Sequence, residues 1–209
     1  MPCDRRFLLL GLLGLGACAA TPTETAMLPE FRGFVSIDPV RYSIEQSADT
    51  LSHPNRLTGQ PWETARLVQA LEFLAVELPN GPRWNVMLPM AQLAVPAARV
   101  EWRQAFGIAP DARAQKVIDS LAELRNAFAE QRPAAAVAAL RAPLFIPGGQ
   151  ETLNRLAAPP TLPRSTRALL DARQELATQS FERRSGLGFI VPLARGANAP
   201  SPEGVNAIG

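Results

Sequence analysis

The chain has 209 residues and a formal net charge of +2; 47% of its residues are hydrophobic, 19% are charged and 6% are aromatic. This excludes a long disordered chain, which needs low hydrophobicity and high net charge, and 14 Gly with 2 Cys excludes a collagen-like or disulfide-framework protein. The length suits a single domain with a sizeable core, and the charge balance gives no reason to invoke nucleic acid.

Arg5 and Arg6 form a basic start, followed by an uncharged run from Phe7 to Ala17. As a helix that run reaches about 16 Å, roughly half of a ~30 Å hydrocarbon core, so it reads as an export signal (residues 1–17) rather than a membrane span. Leu15, Gly16, Ala17 and Cys18 then resemble the lipobox of bacterial lipoproteins, in which Leu and two small residues precede a Cys. The resemblance covers residues 1–18 only. It implies cleavage before Cys18, acylation of its sulfur and of its new amine, and a chain anchored to the membrane facing the periplasm. Ala19 after the Cys implies the outer membrane. The stretch Asp4 to Leu9 is also similar to the twin-arginine export pattern; the alternative is a pair of ordinary n-region arginines. Cys3 leaves with the signal, so the folded part keeps no disulfide and no free thiol. Two or three acyl chains are sufficient for stable anchoring.

Residues 18–30 are rich in Thr, Ala and Pro and are expected to form a flexible lipidated tether. Asp38-Pro39 offers an N-cap and a first-turn proline, and Val40, Ile44, Ala48 and Leu51 recur at helical spacing. A strand is the alternative there, because Val40, Tyr42 and Ile44 also alternate with polar residues. Gln60 to Leu78 is the clearest helix, with a stripe of Leu67, Val68, Leu71, Leu74, Ala75 and Leu78, and with Glu63, Arg66, Gln69 and Glu72 opposite. Arg83 to Phe106 is helical again, with Val86, Met90, Leu93, Ala97 and Val100 in register and expected kinks at Pro89 and Pro96. Pro110 to Gln131 is a second clean amphipath. In it Ala114, Val117, Ile118, Leu121, Leu124 and Phe128 face inward and Arg113, Lys116, Asp119, Glu123 and Glu130 face out. An Ala-rich helix starts at Pro133, a short one spans Glu151 to Ala158, and a last one capped by Ser165 runs to about Arg184. In that last helix Leu169, Leu170, Leu176, Ala177 and Phe181 are apolar, with the stem of Arg173 lying along them. Residues 186–209 are rich in Gly, Ala and Pro and read as a tail in which Phe189 to Val191 would tuck against the core and residues 194–209 are expected to be disordered. Residues 31–185 are thus expected to form one all-α domain of six or seven amphipathic helices.

Few residues carry chemistry. His53 is the single histidine, which excludes His-based zinc sites by count, and it reads as a surface loop residue. Glu72 with Glu77, or Glu123 with Glu130, could serve glycoside hydrolysis, but both pairs are placed on solvated faces. Pro147 to Glu151 puts glycines before a helix without the Lys-Ser/Thr of a phosphate loop, so it reads as a helix-start turn. The chain has 20 Arg and one Lys, scattered rather than clustered. Trp84, Met87 and Met90, near Trp62 and Trp102, are read as core residues, with a pocket opened by the proline kinks as the functional alternative. No catalytic residue, metal ligand or cofactor is expected. The leading functional expectation is a lipid-anchored helical module that contacts another envelope protein; the alternative is a carrier for an apolar ligand near Trp84, Met87 and Met90. An enzyme ranks third.

Overall fold

The computed structural model describes residues 23–31 and 38–184. Seven helices account for the fold among them: α1 (Pro39–Ser52), α2 (Pro61–Asn80), α3 (Pro89–Phe106), α4 (Ala114–Ala129), α5 (Pro133–Ala139), α6 (Gly149–Ala157) and α7 (Pro163–Arg184). Among the described residues there is no strand; a lone antiparallel bridge joins Ile108 to Phe145. The chain is an all-α single domain. No described helix is long and apolar enough to cross a membrane.

Five of the helices begin with proline as first residue, where its missing N–H is an orphan in any case and its φ is preset. Asp38 caps α1, its Oδ1 accepting from the amide of Val40, and the helix reading wins over the strand because Val40, Ile44, Ala48 and Leu51 all face inward. Gly107 ends α3 in the left-handed conformation (φ 69°), and a Cβ there would come within 2.5 Å of the Pro147 ring.

Helix α2 is the axis of the domain. It packs against α1, α3, α4 and α6, while α7 closes the far side against α1 and α3, and α5 bridges α4 and α6. That central place corrects the expected phase of α2. Beside the six stripe residues, Phe73, Val76, Gln69 and Glu72 are also buried, so the helix has core on nearly every side. Gln69 satisfies its amide between the Ile118 carbonyl (2.8 Å) and the Arg125 guanidinium (2.8 Å).

Helix α3 is turned relative to expectation. Its buried face is Ala91, Val95, Ala98, Trp102, Arg103 and Phe106. Met90, Leu93, Ala97 and Val100, expected inside, face out, as does Val86 before the helix. Trp102 and Phe106 bury far more apolar area than the aliphatics of the opposite stripe, and that decides the orientation. Pro89 does not kink the helix but starts it; Pro96 lies inside. Helix α4 agrees with its sequence: Ala114, Val117, Ile118, Leu121 and Leu124 are buried, Phe128 is half-buried, and Glu123 and Glu130 are exposed.

The start of α7 is capped from a distance, not by Ser165 alone. Glu101 of α3 accepts from the amides of Arg164 (3.1 Å) and Ser165 (2.8 Å) and from the Ser165 hydroxyl (2.6 Å). A carboxylate at a helix N-terminus also meets the positive end of the dipole. Leu169 and Leu176 of α7 are buried as expected, whereas Ala177 and Phe181 are exposed.

The described part of the expected tether, residues 23–30, is not a loose spacer. Leu28 is buried in the core, the Met27 amide donates to Gln115 Oε1 (2.7 Å), and Glu24 is fastened to α3 and α4. Cys18, the lipobox residues Leu15, Gly16 and Ala17, and the expected tail 186–209 lie outside the described residues.

Candidate functional site

Sequence placed Glu72 on a solvated face; it is fully buried, and it is the hub of the polar structure. Its Oε1 accepts from Trp102 Nε1 (2.8 Å) and Arg103 Nε (2.8 Å). Its Oε2 accepts from Arg99 Nε (3.0 Å), Arg99 Nη2 (2.7 Å) and Arg103 Nη2 (2.7 Å). Burial alone would raise the Glu72 pKa, but hydrogen bonds and charge from Arg103 and Arg99 outweigh it and hold the carboxyl below its ordinary value.

Arg103 spends its remaining donors on the carbonyls of Ala109 (3.2 Å), Pro110 (2.8 Å) and Ala112 (2.8 Å). All five guanidinium N–H groups are therefore engaged, and none is left for a ligand. Arg99 turns its Nη1 to Glu24 (3.1 Å), whose other oxygen accepts from the Ala114 amide at the start of α4. For Glu24, burial again acts upward, and the Arg99 and Ala114 hydrogen bonds prevail, leaving its pKa lowered. The network is a brace joining α2, α3, the 108–113 loop, the α4 N-terminus and the N-terminal strap. A polar cleft of about 750 Å³ lies under the strap, but Arg99 and Arg103 in its wall are already neutralised by Glu24 and Glu72.

The other sequence candidates do not assemble. Trp84 and Met87 are core residues (3% and 2% exposed), whereas Met90 is 82% exposed, so the three do not line one pocket. Glu77 is half-buried and separate from the Glu72 brace; burial raises its pKa, Asp38 adds to this, and Arg83 opposes it. His53 is half exposed with Nδ1 at the Asp49 carbonyl (2.9 Å). Pro147 to Glu151 forms the turn into α6, with Gly148 at φ 82°. Among the described residues no group of three His, Cys, Asp or Glu could hold a metal.

A different concavity has the composition of a docking site. Leu51, Leu57, Leu67, Phe106, Leu162 and Leu170 form the wall of a cleft of about 330 Å³ at the end of α3 and the start of α7. Pro159 and Pro160, the stiff link between α6 and α7, form one lip, and exposed Thr161 and Arg167 stand at the rim. The cleft continues past Pro163 and Arg167 into a shallower groove floored by Ala94, Ala97, Ala98 and Ala168. An apolar floor with a polar rim is how protein interfaces and apolar ligand sites are both built. The sequence signal was present in the Pro-rich link beside a Leu, but which leucines meet there depends on tertiary packing. Comparison with known protein families, curated proteins and solved structures returns no match for this chain.

Proposed function

We propose that this chain is a lipid-anchored protein of the bacterial envelope, held to the membrane through acyl chains on Cys18, whose helical domain works by docking an apolar segment of another envelope protein rather than by catalysis. The observation that carries the docking role is the leucine-lined cleft between the ends of α1, α2 and α3 and the start of α7, continuous with the alanine groove along α7. The anchor rests on the lipobox resemblance at Leu15 to Cys18. The fastening of residues 23–31 supports the same reading, because it keeps the domain close behind any anchor at Cys18.

The test is affinity capture of the acylated protein from detergent-solubilised envelopes, with Leu170→Asp in the cleft and Glu123→Gln on α4 as the contrast. A specific partner retained by Glu123→Gln and lost by Leu170→Asp supports the reading; Thr161→Arg at the rim replaces Leu170→Asp if that variant loses its helical spectrum. Equal capture by all forms, or none by the natural protein, refutes it. The cleft volume also suits a small apolar ligand, at the lower end of the roughly 300–1,000 Å³ of ligand sites. That carrier reading moves from Trp84, Met87 and Met90 to this cleft, and co-purified lipid released by Leu170→Asp would favour it.

A further inference from the structure

We infer that the outward face of α3, with the loop leading into it, rests on the lipid surface and orients the domain on the membrane. Val86 (71% exposed) and Leu88 (45%) point outward from the loop and Met90 (82%) from the first turn of α3, while Met87 is buried. Leu93 and Val100 continue the apolar ridge along α3. The stretch from Arg83 to Val100 contains no Asp or Glu to repel an anionic headgroup surface; of its two arginines, Arg99 is spent on Glu72 and Glu24, and Arg83, paired with Asp38, stays 61% exposed.

Chain length supplies the proximity. Six residue steps separate Cys18 from Glu24, at most about 20 Å of extended chain. Glu24 is fastened to Arg99, and Met90 lies nine residues up the same helix, about 14 Å away along its axis. An acylated Cys18 therefore keeps the ridge within reach of the bilayer. Phe106 of the leucine-lined cleft lies on the buried face of α3, about 24 Å from Met90 along its axis, so the contact leaves that cleft open and meets the adjoining alanine groove only at Ala94 and Ala97. Apolar side chains of an interfacial face settle roughly 5–10 Å into the headgroup boundary. The inference rests on the lipid-anchored reading through Cys18.

The experiment uses the full acylated chain in vesicles containing anionic lipid, labelled with an environment-sensitive fluorophore at Met90→Cys, at Leu93→Cys, or at Glu123→Cys on the exposed face of α4. These are surface positions, so folding is retained and is checked by the helical spectrum. Labels at 90 and 93 are expected to shift to the blue and to be quenched by spin-labelled lipid, and the label at 123 to do neither. Water-like emission at 90 and 93 from vesicle-bound protein overturns the inference while leaving the anchor intact. So does shielding seen only in native envelopes, which assigns the ridge to a protein partner. Failure of the anchor itself is read separately, as loss of palmitate incorporation and of vesicle binding by the unlabelled chain.

Discussion

Helices α4 and α3 are of similar length and both read as amphipathic, yet one sequence rule places α4 correctly and turns α3 inside out. In α4 and its flanks Arg113, Lys116, Glu123 and Glu130 fall on one side, and Arg125, which reaches Gln69 of α2, is the exception within a stripe that otherwise has a single apolar phase. In α3 apolar residues surround the helix, and its two arginines sit beside the buried face because Glu72 draws them there. Periodicity decides a helix phase only where polar residues mark the opposite side; elsewhere the largest side chains and the buried partners decide it.

The sharpest way to break this comparison is Glu72→Gln. Removing the charge leaves Arg99 and Arg103 without their buried partner, and breaking a buried ion pair costs about 3–5 kcal/mol. Glu123→Gln on the exposed side of α4 should change stability by under about 0.5 kcal/mol. Urea denaturation of both variants measures the difference, and equal costs would remove the brace from the account.

Next come the two faces of α3. Trp102→Ala should cost about 3–5 kcal/mol and Leu121→Ala in α4 about 2–5 kcal/mol, whereas Leu93→Ala on the ridge should stay under about 0.5 kcal/mol. A Leu93→Ala cost close to that of Leu121→Ala would restore the phase read from sequence. Gly107→Ala, which forces a Cβ into a left-handed cap against Pro147, should lose at least about 1 kcal/mol in the same assay.

The smallest effect is a pH dependence at the strap. Glu24 has a lowered pKa in the folded chain, so its contribution is complete above the ordinary value of 4.5 and is lost as the pH falls from there through the folded value. Amide exchange of Met27 and Ala114, whose N–H groups are bonded across the strap, should quicken over that acid range more than exchange in the centre of α4. Unchanged relative protection would show that Leu28 packing alone holds the strap.

Much of the fold was legible: the helix starts at Pro61 and Pro133, the turn at Pro147 before α6, and the core faces of α1 and α4; the break expected after Leu78 falls after Asn80, with Pro79 still inside α2. What was hidden shares one cause. Glu72, Gln69, Glu101 and Glu24 are polar residues whose partners lie 27 to 90 positions away, and local spacing carries no record of a partner at that separation. A hint existed in Leu71 to Val76, where five apolar residues crowd around Glu72, the pattern of a helix buried on every side. The cleft was hidden for the same reason: its leucines come from three helices and two loops.

The strap makes the fold a mechanical circuit. Tension applied upstream of Thr23 enters the domain at Glu24, passes through Arg99 to Glu72, and is shared there with Arg103 and the loop carbonyls it holds. Because Glu24 bonds α3 and α4 at once, the pull spreads over two helices seated against α2 rather than peeling one helix end. The first part to yield under load is the strap itself, and the core behind Leu28 is reached only after the Glu24 contacts have parted.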